Sequence, residues 1–384
     1  AEHLTLTLSG DWKIHVLDTS TGGSETVAAR YENGTTCMDA CLEAACHLLL
    51  RLEKGRCTHG ASLEPQAVKE VARLSSPVPA TLDEPNVLLF DKAEFSINDG
   101  PWRAEMPLLD MENVLRGELG MTKKTGVIAQ PWIDQSPVVP LAEIRFRVSF
   151  RSEADCSGLR LAYENPADTR VLFDGLEVDA KPFGWFTDKA VVTINLPDFN
   201  AGEHRIELVL TFTRKTSIEW FYLLGDFGVR LEGDRGVLTA PVRTLFFGDW
   251  TRQGLPFYGG NVTYHCRLSE TTASLIQVPQ FAAAVLKLSA GGTERVVYHR
   301  SARTELPLTS GGTLDITAFG HRGNCFGPVH LCDQSVEWVG PDAWRSRGRQ
   351  YSNEYQLKPL GILTAPILYS PTDGTFDESS MFFR

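Results

Sequence analysis

Five short segments between residues 145 and 212 decide the fold class of this chain. They read Arg145-Phe-Arg-Val-Ser-Phe150, Leu159-Arg-Leu-Ala-Tyr163, Arg170-Val-Leu-Phe173, Ala190-Val-Val-Thr-Ile194 and Arg205-Ile-Glu-Leu-Val-Leu-Thr-Phe212. β-branched, aromatic and other apolar residues dominate each segment, and stretches rich in turn-forming residues separate them. Several short strands divided by turn signals are typical of two packed antiparallel sheets. The stretch therefore predicts a β-sandwich.

The amino-terminal part of the chain also predicts strands. Leu4-Thr-Leu-Thr-Leu8 and Trp12-Lys-Ile-His-Val16 alternate apolar with polar residues, which is the period of a half-buried strand. The stretch Cys37–Leu52 has helical propensity, but the turn-forming pairs Asn33-Gly34 and Lys54-Gly55 flank it. We therefore favour strands over a helix there, and expect a small β-sandwich at the start of the chain.

Residues 61–140 predict a linker that contains strands and helical turns. Pro65–Leu74 has the composition of a short helix, and proline-rich residues follow it. Asn86–Phe90 and Ala93–Ile97 are predicted strands, and Met111–Leu119 is a predicted short helix.

A weak internal repeat organises the rest of the chain. Residues 144–231 can be laid over residues 261–363 so that strands, glycine turns and the closing strand correspond. The repeat predicts two jelly-roll domains at 141–240 and 241–384, after the small sandwich at 1–60. Any two all-β segments can be overlaid this loosely, so a chance likeness stays open. The expected fold class is all-β, with tandem β-sandwich, jelly-roll domains and a short helical linker.

Charge excludes several classes of partner. The 384 residues contain 37 Lys and Arg against 48 Asp and Glu, which gives a formal net charge of −11. An acidic chain without a basic run does not predict binding to nucleic acid or to an anionic membrane. No apolar run approaches the roughly 18 residues that cross a bilayer. The chain begins at Ala1 without methionine, and we expect a further part of the protein upstream.

The cysteines predict a reducing compartment rather than a zinc site or a disulfide framework. They are Cys37, Cys41, Cys46, Cys57, Cys156, Cys266, Cys325 and Cys332. None stands in a Cys-x-x-Cys pair, and a chain of this length needs no disulfides for stability. We expect mostly buried thiols and a cytoplasmic protein, with secretion or a periplasmic location as the alternative.

Several motifs together resemble a known class of enzyme. They are Leu172–Val178, Phe199–Leu208, Leu223–Gly228, Phe247–Trp250, Gly254–Gly260 and Ala318–His330. The first two resemble the galactose-binding-like jelly roll of glycoside hydrolases. The whole set is similar to the C-terminal β-sandwich region of large bacterial glycosidases of family 2 and, more closely, of family 106 α-L-rhamnosidase-like proteins.

This resemblance implies an accessory role. The catalytic barrel of such enzymes lies N-terminal to the sandwiches and is outside this sequence. We therefore expect a carbohydrate-binding or bracing region of a multidomain bacterial glycoside hydrolase that acts on plant or gut polysaccharide. Its partners would be an oligo- or polysaccharide and the missing barrel. A self-sufficient glycoside hydrolase or polysaccharide lyase, and a purely structural domain without sugar affinity, stay open as alternatives.

The best candidate binding site is the loop Gly248–Asn261, which concentrates glycines, aromatic residues and hydrogen-bonding side chains. In a sugar site, aromatic rings stack on C–H groups and polar side chains bind hydroxyls. The residues that we assign to carbohydrate binding are Asp249, Trp250, Arg252, Gln253, Tyr258 and Asn261. Trp250 and Tyr258 would stack, and the other four would bind hydroxyls. The alternative is that the loop only packs one sandwich on the next.

Hydrolysis of a glycoside needs two carboxyl groups. The weak candidates are Glu219, Asp226 and Asp249, which lie near aromatic residues in the sequence. Acidic residues at strand ends are more often solvated or fixing a turn, so no catalytic residue is assigned. A lyase would instead use an Arg/Tyr cluster. That cluster consists of Trp338, Trp344, Arg345, Arg347, Tyr351 and Tyr355.

The sequence predicts no cofactor. His321 and His330 lack a carboxylate or thiolate at ligand spacing, so a metal pair is rejected. Arg322 and Asn324 are expected to tie their loop to neighbouring backbone or to meet the barrel. A structural calcium ion is allowed. Its candidate ligands are Asp155, Asp174, Asp179 and Asp188.

Overall fold

A computed structural model gives the fold of the chain. It describes residues 2–19, 22–42, 47–56, 59–61, 63, 67–123, 137–333, 340 and 343–372. The single α-helix among the described residues is α1 (Leu108–Glu118), and apart from short 3₁₀ turns almost all other regular structure is antiparallel β-sheet. The predicted all-β class with β-sandwich domains is confirmed.

The first half of the chain contains the following strands: β1 (Glu2–Ser9), β2 (Trp12–Leu17), β3 (Ser24–Val27), β4 (Arg30–Glu32), β5 (Thr35–Leu42), β6 (Leu49–Lys54), β7 (Val68–Arg73), β8 (Val78–Leu82), β9 (Asn86–Phe90), β10 (Lys92–Ile97), β11 (Arg103–Pro107), β12 (Ala142–Ser152), β13 (Arg160–Tyr163), β14 (Thr169–Phe173), β15 (Leu176–Glu177), β16 (Gly184–Phe186) and β17 (Asp188–Asn195).

The second half contains these: β18 (Gly202–Phe212), β19 (Phe221–Gly225), β20 (Gly228–Glu232), β21 (Arg235–Thr239), β22 (Thr244–Leu245), β23 (Val262–Arg267), β24 (Leu275–Gln277), β25 (Phe281–Ala282), β26 (Leu286–Ala290), β27 (Thr293–Val297), β28 (Arg303–Glu305), β29 (Thr313–Ala318), β30 (Gly361–Ile362) and β31 (Ile367–Pro371).

The chain divides into two compact units, each assembled from separated stretches. Unit 1 comprises Ala1–Val78, Tyr264–Ala318 and Ile362–Arg384, and unit 2 comprises Pro79–Thr263 and Phe319–Gly361. The consecutive domains predicted from the sequence do not coincide with these units. The predicted linker 61–140 is divided between them after Val78, and the predicted last domain 241–384 is also divided between them. The N-terminal boundary at 60 and the boundaries at 140 and 240 have no counterpart in this division.

Unit 2 is a β-sandwich. One sheet has the order β11-β10-β12-β18-β14-β15, with β20 and β21 joined to it, and the other has the order β16-β17-β13-β19-β9. Its longest ladder pairs Ala142–Ser152 with Gly202–Phe212 over the full length of both strands. Along β12 the apolar residues Ile144, Phe146 and Val148 are buried and the arginines between them are less so. Because apolar and polar residues alternate along the sequence of β12, one face of the strand packs into the core.

The core of unit 2 lies between these two sheets. Phe90 of β9 and Phe150 of β12 belong to different sheets, and their ring centroids are 5.8 Å apart. Phe90 also packs on Phe221, with ring centroids 5.2 Å apart. Aromatic pairs at such distances stabilise a core beyond the area that they bury.

The predicted helix at Met111–Leu119 is confirmed as α1. Leu108, Met111 and Leu115 are buried at the i, i+3, i+7 spacing of one helix face. The buried Glu112 accepts a hydrogen bond from Arg116 Nε at 2.7 Å and another from the backbone N–H of Ile218 at 3.2 Å. Both partners compensate for the burial of a charged side chain, and the second ties the helix to the sandwich.

Unit 1 begins with the small β-sandwich that the sequence predicts. Two three-stranded sheets, β1-β5-β4 and β3-β2-β6, enclose a core that includes Ile14, Val16, Met38 and Ala40. The predicted strands within Cys37–Leu52 are confirmed as β5 and β6, and residues 43–46 lie outside the described part. Unit 1 also contains the sheet β28-β24-β31-β7 and the pairing of β26 with β27 and β29.

The helix predicted at Pro65–Leu74 is wrong in its described part. Val68–Arg73 forms strand β7, which pairs with Ile367–Pro371, and residues 64–66 lie outside the described part. The residues of β7 are good helix formers, but pairing with a strand that is distant in sequence satisfies their backbone and overrides that local propensity.

The cysteines are only in part buried. Cys156, Cys266 and Cys325 are buried, Cys37 and Cys41 are half-buried, and Cys332 is exposed, while Cys46 and Cys57 lie outside the described residues. Burial raises the pKa of the Cys266 thiol to about 12, so this group keeps its proton. In the described part of the chain, no helix is long and apolar enough to span a bilayer.

We predict that Phe212→Ala destabilises the sandwich of unit 2 by about 3–5 kcal/mol, because it leaves a cavity in a fully buried position of β18. Leu176→Ala, at an exposed leucine of β15, is the matched control and should change stability by less than about 0.5 kcal/mol. Urea denaturation monitored by tryptophan fluorescence measures both. Equal midpoints for the two variants would contradict the assigned core.

Candidate functional site

Unit 2 contains an open cleft with a volume of about 920 Å³. Residues from four separated stretches line it, namely 229–231, 239–244, 249 with 251–254, and 355–357 with 359. The stretch 249–254 belongs to the loop that the sequence singles out as the best candidate site. A cleft of this size can hold several sugar units or a comparable polar ligand.

Asp249 organises the loop rather than projecting freely from it. Its carboxylate accepts hydrogen bonds from the backbone N–H of Thr251 at 3.0 Å and from the Thr251 hydroxyl at 2.8 Å. It also accepts one from the backbone N–H of Leu360 at 3.1 Å. Asp249 therefore caps the short 3₁₀ turn Trp250–Arg252, and it joins that turn to the residues that follow the last stretch of the cleft wall.

Gln253 closes the same loop on itself. Its Oε1 accepts from the backbone N–H of Phe246 at 2.8 Å, and its Nε2 donates to the carbonyl oxygens of Phe246 and Asp249, both at 3.2 Å. The amide that we predicted to bind ligand hydroxyls is thus engaged by backbone, although the residue does line the cleft.

Arg252 is the most available of the predicted binding residues. Its side chain is 88% exposed, and its Nε lies 3.8 Å from Asp249 Oδ2. A separation of that length allows electrostatic attraction but is too long for a hydrogen bond. The guanidinium therefore keeps donors for a ligand at the rim of the cleft.

Trp250 and Tyr258 are fully buried, each with 0% of the residue exposed, so the stacking role predicted for them is wrong. Their rings pack edge to face with centroids 6.2 Å apart. These two residues instead fit the alternative in which the loop serves packing. Neither lines the cleft, and both instead form the interior on which the loop is built.

Asn261 and Tyr258 are held by Asp83. The Asp83 carboxylate accepts from the Asn261 backbone N–H at 2.8 Å and from its Nδ2 at 2.6 Å, and the Tyr258 hydroxyl lies 3.0 Å from Oδ1. Burial, and then the negative charge of Asp83, raise the pKa of the Tyr258 hydroxyl well above its usual value. Asn261 therefore ends the loop and does not line the cleft.

A buried amide anchors the middle of the loop. Asn86, which opens β9, is 1% exposed. Its Nδ2 donates to the carbonyl oxygens of Phe227 at 2.7 Å and Gly254 at 2.9 Å, and its Oδ1 lies 2.8 Å from the backbone nitrogen of Val87. The position of Gly254 at the cleft is thereby fixed to the sheet behind it.

The last wall of the cleft, residues 355–359, is fixed by a buried carboxylate. Asp91 accepts a hydrogen bond from the Tyr355 hydroxyl at 2.7 Å, and its other oxygen lies 2.7 Å from His330 Nε2. His330 Nδ1 lies 2.8 Å from the carbonyl oxygen of Ser352. His330 is thus part of a structural network rather than half of a metal pair.

The second glycine-rich loop is tied to its surroundings as the sequence predicts. The Asn324 amide donates to the carbonyl oxygen of Lys358 at 2.8 Å and accepts from the Lys358 N–H at 2.9 Å. Arg322 donates instead to the Glu84 carboxylate at 2.8 Å. A Cβ on Gly320 would lie 2.2 Å from the carbonyl oxygen of Gly260, so only glycine permits this approach of the two loops.

The three weak catalytic candidates do not share one cavity. Asp249 lines the cleft, whereas Glu219 lines a separate cavity of about 30 Å³ in unit 2. Asp226 is exposed and forms an ion pair with Arg243, which lines the cleft. The aromatic neighbours that suggested a sugar site, Trp220 and Tyr222, are buried. The geometry therefore gives no support to a pair of catalytic carboxylates among these residues.

Three members of the Arg/Tyr cluster of the lyase alternative are engaged within the fold. Burial, and then the Asp91 carboxylate, raise the pKa of the Tyr355 hydroxyl well above its usual value, so it keeps its proton. Tyr351 donates to Asn353 Oδ1 at 3.1 Å, and Trp344 donates to the carbonyl oxygen of Phe326 at 3.1 Å. Trp338 lies outside the described residues.

The four calcium candidates are all engaged by backbone N–H groups. Each accepts a hydrogen bond from a backbone N–H, with these partners: Asp155 from Ala201, Asp174 from Arg205, Asp179 from Lys181 and Asp188 from Ala190. Across the described part of the chain, no group of three or more His, Cys, Asp or Glu residues is placed to hold a metal ion. A structural calcium ion stays a prediction.

Several cleft residues were missed by the sequence analysis. They are Arg230, Thr239, Arg243, Thr244 and Gln356. The sequence does not reveal that these residues share a site, because they are far apart along the chain. Only the sheet and the buried network around Asp91 bring their stretches together in the fold. The one available signal was the short Pro241-containing stretch that leads from β21 into the predicted loop.

We predict that Asn86→Ala destabilises unit 2 by about 1–3 kcal/mol, because the buried carbonyl oxygen of Phe227 loses its donor and that of Gly254 keeps only the backbone N–H of Val229. Asn195→Ala, at an exposed asparagine that ends β17, is the matched control and should be close to neutral. Thermal unfolding measures both variants. A neutral Asn86→Ala would show that the amide does not anchor the loop.

No family model matches the chain, and no curated protein matches it. Among solved structures, it is similar to the β-D-mannosidase from Dictyoglomus thermophilum at 14% identity, with a TM-score of 0.25 and coverage of 61% of this chain and 31% of that one. It is also similar to a family 2 β-galacturonidase from Eisenbergiella tayi at 10% identity, with a TM-score of 0.23 and coverage of 63% and 38%. The chain therefore spans about a third of the length of these glycosidases.

Proposed function

We propose that this chain is an accessory carbohydrate-binding region of a multidomain glycoside hydrolase and that the cleft of unit 2 is its binding site. The observation that carries this proposal is the position of the loop 249–254. The sequence singles out this loop for its polar and glycine-rich composition, and it lines a cleft of about 920 Å³.

The chemistry of the lining suits sugar hydroxyls, which both donate and accept hydrogen bonds. Arg252 supplies donors, and the hydroxyls of Thr239 and Thr244 serve as donors or acceptors. Leu357 and Pro359 add apolar surface to the same cleft, against which the C–H groups of a sugar can pack. A few polar groups placed over a partly apolar wall are typical of small-molecule sites.

In this proposal the hydrolysis is performed outside the described residues. Glu219, Asp226 and Asp249 lack the paired arrangement that glycoside hydrolysis requires. The motif resemblance to bacterial family 2 and family 106 glycosidases supports a catalytic barrel as partner and a plant or gut polysaccharide as ligand. The cleft would hold the polysaccharide near the barrel and so raise its effective concentration there.

A bracing role without sugar affinity is the second candidate. The burial of Trp250 and Tyr258 favours it, because the aromatic rings of the loop serve packing and not ligand stacking. The same loop would then act only to stiffen unit 2. Binding measurements separate the two candidates directly.

The test is a glycan array followed by calorimetric titration of the best ligand. Arg252→Ala should weaken binding about tenfold or more, because a charged hydrogen bond contributes about 1.5–3 kcal/mol. This residue is suited to the test because its exposed side chain makes little contact with the fold. Arg267→Ala, at an exposed arginine of β23 in unit 1, is the matched control and should leave the affinity unchanged.

The other outcomes identify the other candidates. Equal affinity of Arg252→Ala and the wild type would show that the binding site is not in the cleft. Absence of binding to every glycan would favour the bracing role. Release of reducing sugar by the purified chain, measured on the same glycans, would contradict an accessory role and point to an enzyme.

A further inference from the structure

Two aromatic rings project from the edge of unit 2, away from the residues that line the cleft. Phe183 is 54% exposed and Trp185 is 56% exposed. Trp185 lies on β16 opposite Val192, and the backbone N–H of Phe183 donates to the carbonyl oxygen of Thr193 at 3.1 Å. Phe183 and Trp185 are therefore both open to solvent, whereas the next ring along the chain, Phe186, is buried.

The position of these rings follows from the topology of the sandwich. β16 is the last strand of the five-stranded sheet, and β15 is the last strand on the path of the facing sheet. The short segment between β15 and β16 joins these two edges. It places Leu176, Phe183 and Trp185, all exposed, along one stretch of edge. We call Phe183 and Trp185 the edge aromatic pair.

The backbone next to Trp185 is held in an unfavourable conformation. The pairing of β16 with β17 shifts register between Trp185 and Phe186, and Thr187 has φ +63°. A β-branched residue in the left-handed region is rare and strained. Bulges of this kind redirect side chains. The turn therefore fixes the direction of Trp185 at a cost in stability. The ring of Trp185 nevertheless stays exposed to solvent.

The residues around the edge aromatic pair identify the ligand chemistry. Asp179, Lys181, Asp188 and Lys189 are all exposed on the same short segments. Two carboxylates and two ammonium groups supply both acceptors and donors without a net charge. A pyranose ring presents an apolar C–H face to stack on an aromatic ring and a surrounding belt of hydroxyls. The mixture of rings and balanced polar groups fits that ligand.

The size of the pair argues against a second copy of the chain as its occupant. Two aromatic side chains bury about 300–500 Å² in total, since each contributes about 150–250 Å². A stable protein interface needs about 800 Å² from each partner. A single sugar residue, in contrast, is matched by one or two rings.

We propose that the edge aromatic pair is a second carbohydrate-binding site, in which Trp185 stacks on a pyranose ring of the polysaccharide. The inference rests on the proposed function, since it concerns the same class of ligand. It adds a contact for a long chain whose other part lies in the cleft. Two weak contacts on one polysaccharide bind more tightly than either does alone.

The experiment is affinity electrophoresis of the whole chain in gels that contain galactomannan, arabinoxylan or pectin. Trp185→Ala should weaken retention about fivefold to tenfold, the loss that follows when an exposed aromatic anchor is removed. Tyr298→Ala is the matched control, because Tyr298 is a similarly exposed aromatic residue of unit 1. Its retention should equal that of the wild type. A thermal unfolding midpoint within 2 °C of the wild type, a shift of about 0.5 kcal/mol or less, verifies that each variant is folded.

The outcomes separate this inference from the proposed function. Retention that Arg252→Ala weakens and Trp185→Ala leaves unchanged would overturn the edge site and keep the cleft. Absence of wild-type retention in all three gels would overturn both. Sedimentation provides a further check, because a wild-type dimer that Trp185→Ala dissociates would identify the pair as a self-association surface. A Trp185→Phe variant that restores retention would support stacking.

Discussion

The carboxylate of Asp91 is the constraint on which the cleft of unit 2 depends. It is buried between β9 and β10, and it binds Tyr355 and His330 at the same time. Because the Ser352 carbonyl oxygen can only accept, His330 Nδ1 must donate to it. The other ring nitrogen, Nε2, lies 2.7 Å from Asp91 Oδ2, so both nitrogens of His330 are engaged. The stretches around His330 and Ser352–Tyr355 are therefore held on the sandwich.

The hydrogen bonds of Asp91 and the buried amide of Asn86 together hold the other walls of the cleft in place. Tyr355 packs edge to face on Phe257, with ring centroids 4.8 Å apart. This contact connects the hydrogen-bond network of Asp91 to the loop of the candidate site. Leu360, just beyond the cleft wall, accepts a hydrogen bond from the backbone N–H of Trp250 at 2.9 Å. The interior of the loop is thus rigid, and its rim residue Arg252 is exposed. The loop backbone is therefore preorganised, and only the Arg252 side chain loses conformational freedom when it binds a ligand.

The sequence predicted what local patterns encode. Strands such as Arg205–Phe212 were identifiable because one face is apolar, and the candidate loop stood out by composition. The roles of Trp250 and Tyr258 were not identifiable, because an aromatic residue in a glycine-rich loop has the same local pattern whether it packs inward or contacts solvent. The strand at Val68–Arg73 was missed because its partner is almost 300 residues distant. Burial and long-range pairing are properties of the folded chain.

Hydrogen–deuterium exchange of Asp91→Ala, compared with the wild type, tests most directly whether this carboxylate builds the cleft. The account predicts faster exchange in residues 319–332 and 351–360 and in the loop 249–254, while β12 and β18 keep their protection because their long ladder does not depend on Asp91. Unchanged exchange in the cleft walls would contradict the account. So would uniform loss of protection throughout unit 2, because Asp91 would then support the whole sandwich and not the cleft in particular.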